Sequence, residues 1–175
     1  MFKYAKIINQ QTGLCEVGTG TNTAFYKSIG MTEQDVLLSD IDGNWYLADK
    51  CPQKSEEQKL SEAKIIKQAE NTRLAKLAVE NGHVVFKGAE FETNAQTVGD
   101  LTATMLLMQA GGLETYLWLS KDDQPISLSI EDFGTLGGLI AEFKNTIWQE
   151  KYLAYKTQIE QAETLETVEN IVIEY

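Results

Sequence analysis

The chain has 175 residues, 43% of them hydrophobic, and carries a formal net charge of -11 with a pI near 4.5. That length suits one ordinary domain or two small ones, and that composition suits a globular chain rather than a disordered one. So acidic a surface repels phosphate backbones and anionic lipid, which argues against nucleic-acid and membrane partners. No apolar run approaches the roughly 18 residues of a membrane-spanning helix. Residues 1–9 alternate lysine with apolar residues and lack the continuous apolar core of a signal peptide, so synthesis in the cytoplasm without export by that route is expected. Cys15 and Cys51 belong to no paired motif and are expected as two reduced thiols. With His83 the lone histidine, zinc and haem have almost no ligands to draw on, and no metal or cofactor is expected.

In chain order, residues 2–19 read as a β-hairpin turning at Gln11-Thr12-Gly13. Residues 21–30 suggest a short helix capped by Asn22 or Thr23, with Phe25, Tyr26 and Ile29 facing inward. Thr32 with Asp35 repeats a capping signal and predicts another helical turn or two ending near Leu38. Asp40-Ile41-Asp42-Gly43-Asn44 is a turn and residues 45–48 a strand. Lys50-Cys51-Pro52-Gln53-Lys54 is the best linker. Ser55 with Gln58 forms a capping box for a helix reaching Glu80. Its first half is charged, with a thin stripe at Leu60, Ala63 and Ile66, and reads as a solvated connector or a weak inter-chain seam. Its second half carries Leu74, Leu77 and Ala78.

Residues 83–93 form a hairpin with Lys87-Gly88 at the turn. Thr97 with Asp100 predicts a helix to Ala110 with Leu101, Met105 and Met108 on its apolar face, ended by Gly111-Gly112. Residues 115–119 and 126–130 make a second hairpin around Lys121-Asp122-Asp123-Gln124. Residues 130–162 then read as one long amphipathic helix capped by Ser129 and Asp132. Its stripe runs through Phe133, Leu136, Ile140, Phe143 and Ile147, then slips one position to Trp148, Tyr152, Tyr155, Ile159 and Ala162. A loop with a short helix and a strand or frayed tail close the chain.

No cluster announces a reaction. Gly18-x-Gly20 stands where a dinucleotide fingerprint would, but Thr23 replaces the third glycine and no βαβ unit follows, so a turn is expected. Asp40-x-Asp42-x-Asn44 opens like a calcium loop, but Trp45 and Cys51 stand where Gly and Glu are needed. His83 with Glu90 or Glu92 could serve a small hydrolase, yet an ordinary surface histidine is the better reading. Tyr116 and Trp118 alternate with Leu117 and Leu119, making a strand apolar on both faces that is buried or meets a partner, with core preferred. Trp45, Tyr116 and Trp118 would suit a carbohydrate if exposed.

The order of features over residues 71–164 resembles an uncharacterised domain family found at the C-terminal end of phage and prophage tail proteins. The resemblance rests on Ala75-Lys76-Leu77-Ala78, the hairpin from Val84 to Thr93, the cap Thr97, Tyr116-Leu117-Trp118-Leu119-Ser120-Lys121-Asp122-Asp123, Ile126-Ser127-Leu128, and the helix running into Lys156-x-x-Ile159-x-x-Ala162-x-Thr164. Gly18 to Tyr26 and Asp42-Gly43-Asn44-Trp45-Tyr46 are similar to segments that precede this domain in prophage proteins. At Asp123-Gln124-Pro125 the chain departs from the family's usual Asp-Asn turn. The resemblance implies a virion-associated or tail-assembly role and no known active site.

The expected fold is α+β: a small N-terminal ββαβ unit (1–50), a helical connector (51–70), and a C-terminal domain (71–175) of two β-hairpins on helices with one long C-terminal helix. The expected function is that of a non-enzymatic structural or binding protein of the tail. Its expected partners are other tail proteins or copies of itself in a homo-oligomer, met in the host cytoplasm during assembly and in the virion tail. The alternatives are a tail-fibre assembly chaperone absent from the mature particle, and a carbohydrate-binding module. The candidate interaction surface is Trp148, Tyr152, Tyr155 and Ile159, with Tyr116 and Trp118.

Overall fold

Alternating apolar residues draw the first strands into a small barrel. In the computed structural model, which describes residues 1–175, β1 (Phe2–Asn9) pairs antiparallel with β2 (Leu14–Val17), with Ile7 opposite Cys15. Helix α1 (Thr23–Ser28) follows, capped by the Asn22 carboxamide, which accepts the Phe25 N–H at 3.0 Å. Then come β3 (Thr32–Leu38) and β4 (Trp45–Leu47), and the order β1-β2-β4-β3 closes on itself. Ala5, Cys15 and Val36 fill the interior.

Two local readings are corrected here. Residues 32–38 are a strand, not a helical turn. Only Gln34 and Val36 turn inward, a period of two, and the segment gains a ladder on both sides, Phe2 opposite Asp35 and Val36 opposite Leu47. Two rows of backbone bonds outweigh one capping signal. Phe25 and Ile29 are exposed; of the three expected inward residues only Tyr26 is half-buried. The first unit is therefore ββαββ, and it extends from Met1 to Lys59.

Tyr26 explains the Gly18-x-Gly20 pattern. Its hydroxyl accepts the Gly20 N–H at 2.5 Å, and its ring stacks on Tyr4 at 6.1 Å. A Cβ on Gly18 would lie 2.6 Å from the ring, and one on Gly20 2.9 Å from the hydroxyl. The glycines are a seat for an aromatic side chain.

The second unit, Leu60–Tyr175, takes most of helix α2 (Glu56–Asn81). The expected capping box is present, Ser55 and Gln58 exchanging bonds of 2.9 and 3.1 Å. Helix α2 is unbroken, as expected, and the second unit takes it up from Leu60, inside the stretch 51–70 read as a connector. Hairpin β5 (His83–Phe86) and β6 (Ala89–Glu92) turns at Lys87-Gly88, both at positive φ. That is the backbone of a two-residue turn matched to strand twist. Helix α3 (Ala95–Gly111) is capped by Asn94, not Thr97: the Asn94 carboxamide accepts the Thr97 N–H at 2.8 Å. Strands β7 (Thr115–Leu119) and β8 (Pro125–Ser129) form the second hairpin.

The long helix consists of α4 (Ile130–Asn145), a π-helical segment (Thr146–Tyr152) and α5 (Leu153–Gln161). Ser129 and Asp132 close its capping box, and Asp132 also takes the Lys87 ammonium at 2.5 Å. The stripe slips at Trp148, inside the π segment, whose wider i→i+5 turns absorb the extra position. Helix α6 (Leu165–Glu169) follows, and residues 171–175 run on without pairing. The core gathers Phe91, Leu101, Met108, Leu128, Phe133, Leu136 and Ile140 from both hairpins, α3 and α4. No helix is long and apolar enough to cross a membrane.

Gly18→Val should drive Tyr26 off its seat and cost the first unit about 1–3 kcal/mol. A lower melting temperature, with loss of the Tyr4–Tyr26 ring-current shifts, checks it.

Candidate interaction surface

The six residues singled out from sequence separate into two groups. Tyr116 and Trp118 sit on β7, opposite Leu128 and Ile126 on β8. Trp118 stands edge-on to Phe133 at 5.2 Å and is half-buried, while Tyr116 is 37% exposed. The opposite face carries Leu117 and Leu119, which are 67% and 58% exposed. Core placement therefore holds for Trp118 and fails for Leu117 and Leu119, with Tyr116 at the margin. Strand β7 pairs with β8 alone.

Trp148, Tyr152, Tyr155 and Ile159 line the long helix where it runs antiparallel to α2. Lys64 donates to the Glu160 carbonyl at 2.8 Å, Gln68 Nε2 to the Tyr152 hydroxyl at 3.0 Å, and a Cβ on Gly82 would strike Phe143. Ile159 is 1% exposed and offers no surface, a correction to its expected role. Tyr152 stacks edge-on with Trp148 at 5.1 Å, and the Tyr155 hydroxyl bonds both the Glu174 carbonyl and its N–H. Of the four, Trp148 keeps a side in an open groove of about 470 Å³, shared with Arg73, Lys76, Leu77, Val79 and Glu80.

The residue that organises this side was silent in the sequence. Asn71 is completely buried in the middle of α2. Its Nδ2 donates to the Tyr152 carbonyl at 3.2 Å, and its Oδ1 accepts the hydroxyl of Tyr175. Asn71 thus adds a side-chain donor to the backbone at the last residue of the π segment. Burial, with Tyr155 and Tyr152 beside it, pushes the Tyr175 hydroxyl up to about 12. The neighbouring Gln68 has a buried amide oxygen that accepts no hydrogen bond. Hydropathy periodicity could not show this seam, because its α2 side is built of Lys64, Gln68, Asn71 and Ala75.

The other candidates resolve into structure. His83 Nε2 lies 3.5 Å from Glu90, and Lys121 holds the other oxygen of that carboxylate at 3.1 Å. All three are about 40% exposed. The Lys121 hydrogen bond keeps the Glu90 carboxyl below the usual carboxylate range, the opposite of what a general acid needs. Asp40 pairs with Lys54 at 3.2 Å. Asp42 accepts from the Asn44 N–H at 3.0 Å and the Tyr46 hydroxyl at 2.7 Å, which brings its carboxyl down to about 2. Trp45 lies under the Lys3 ammonium at 4.2 Å. Cys15 and Cys51 are unpaired. No three His, Cys, Asp or Glu side chains come together as metal ligands would. Comparison with protein-family models, curated proteins and solved structures finds no match.

Asn71→Ala removes the side-chain bond to the Tyr152 carbonyl and leaves the Tyr175 hydroxyl only the longer contact of 3.4 Å to the carbonyl of residue 71, and should cost about 1–2 kcal/mol, roughly 2–8 °C in melting temperature. The raised Tyr175 hydroxyl contributes stability that is fully present below about pH 10, its unfolded value, and lost as pH rises through 12. Denaturant titrations across that range should show the loss, and Tyr175→Phe should remove this component of it.

Proposed function

We propose that the chain is a non-enzymatic phage or prophage tail-associated protein that acts through contacts with other tail proteins or with copies of itself. The observation that carries this reading is the leucine face of the β7–β8 hairpin. Leu117 and Leu119 are more than half exposed, on a strand that pairs on one side only, with Leu106, Leu107 and Leu113 also exposed nearby in sequence. Exposing that much leucine costs about 25 cal/mol for each Å² left in water, a cost that covering by a partner would recover. The inner face explains why the strand stays in place without that partner, since Trp118 on Phe133 anchors it to the core.

The resemblance to the tail-protein family supports the setting. The elements that carried it follow one another in the chain as α2, β5–β6, α3, β7–β8 and the long helix. In this reading the protein meets its partners in the host cytoplasm during assembly and stays in the virion tail.

Leu117→Asp with Leu119→Asp leaves the core untouched and should retain the fold by circular dichroism. In the phage or prophage that encodes the chain, the double variant should yield few particles with complete tails, and mass spectrometry should find the wild-type protein in purified virions. Normal tails from the double variant would overturn the proposal. A protein required for tails but missing from virions would replace it with the assembly-chaperone reading.

A further inference from the structure

The seam between α2 and the long helix carries a second surface of different chemistry. Two open grooves lie along it. One, of about 360 Å³, includes Lys64, Ile65, Gln68 and Ala69 of α2 with Ile159. The other, of about 470 Å³, includes Arg73, Lys76 and Leu77 with Trp148. Their α2 residues follow one another along the helix, and their long-helix residues run the opposite way, so the grooves lie head to tail. From Lys64 to Glu80 that is about 24 Å, enough for four turns of a third helix.

Ile65 is 67% exposed and Leu77 46%. Ile65 and Ala69 stand one turn apart, and Leu77 about two turns further on with Arg73 between, so apolar and basic side chains share the length of the grooves. Arg73 is the only arginine in the chain. Arg73 and Lys76 are exposed and form no ion pair, whereas Lys67 is held by Glu70 and Lys121 by Glu90. Residues 60–175 hold nine Lys and Arg against eighteen Asp and Glu, yet residues 64–80, the length of the two grooves, hold four cations against Glu70 and Glu80. Unpaired cations beside a tryptophan, on a chain acidic elsewhere, fit an acidic occupant.

We propose that this groove binds an acidic amphipathic helix of a partner protein, its apolar stripe on Ile65, Leu77 and Trp148 and its carboxylates on Arg73 and Lys76. A second copy is the poorer occupant, because each chain carries -11. The inference rests on the protein-contact reading above but uses a different surface.

The probe is a synthetic 18-residue helical Leu/Glu peptide, with the same peptide carrying Lys for Glu as control. Calorimetry should show saturable one-to-one binding of the acidic peptide alone, weakening as salt rises. The Trp148 indole resonance should move, and Arg73→Glu with Lys76→Glu should reduce affinity at least tenfold. Ile65→Asp, also at an exposed site, should do the same and serves if the charge reversal perturbs folding. Leu117→Asp with Leu119→Asp should leave peptide binding unchanged, which separates failure here from failure of the leucine face. No saturable binding, equal binding of the Lys peptide, indifference to both groove variants, or a dimer of the chain that Ile65→Asp dissociates would overturn the proposal.

Discussion

One buried carboxamide holds the helical side of the second unit together. Asn71 has no access to water, so each of its polar atoms must find a partner inside. It does so by binding two elements at once: the end of the π segment, through the Tyr152 carbonyl beside the Gln68 bond to the Tyr152 hydroxyl, and the last residue of the chain, through the Tyr175 hydroxyl. The tail then lies against the long helix, with Tyr175 edge-on to Tyr155 at 5.8 Å. An apolar residue at position 71 could fill the space but would lose the bond to the Tyr152 carbonyl and the shorter of the two bonds to the Tyr175 hydroxyl. Directional bonding thus sets the alignment of two helices whose contact is poor in large apolar side chains.

The other side of that unit works by ordinary burial. Phe133, Leu136 and Ile140 of α4 meet Leu101 and Met108 of α3, and both hairpins lie on them through Phe91 and Leu128. The hairpins are joined to each other by a backbone bond from the Lys121 N–H to the Glu90 carbonyl at 2.8 Å. The ion pair between the same two side chains reinforces it. This arrangement makes the His83–Glu90–Lys121 group a fastening between hairpins, and it leaves the outer face of β7 without a structural duty.

How much was legible in the sequence depended on whether the signal was local. Ser55 with Gln58, Ser129 with Asp132, and Lys87-Gly88 each specify geometry within four residues, and each is found as expected. The α4 stripe was equally plain, because one strongly apolar face met one core. Residues 32–38 failed because their partners, β1 and β4, lie outside any local window. The candidate surface failed in part for a related reason. Alternation shows that β7 is apolar on both faces but cannot say which face is covered, and the α2 seam uses amide and small residues that leave no hydropathic trace. Ile159 looked like the exposed end of a stripe only because α2 was assigned to solvent.

The π segment of the long helix bears on how this protein can change over time. Residues 146–152 carry the surplus position that brings Trp148 and Tyr152 into the stripe and seats Ile159 against α2. Loss of one residue there would restore a plain α-helix with the downstream side chains still on the same face, because the wider turns exist to absorb that residue. Loss of one residue from the flanking α4 would instead rotate everything beyond it by about 100°. The Tyr155 and Ile159 side chains would then leave their places together, and Tyr175 would lose its stacking partner. The π segment is therefore where the long helix can shed a residue and keep its face, whereas the residue count of α4 is fixed by the contacts downstream.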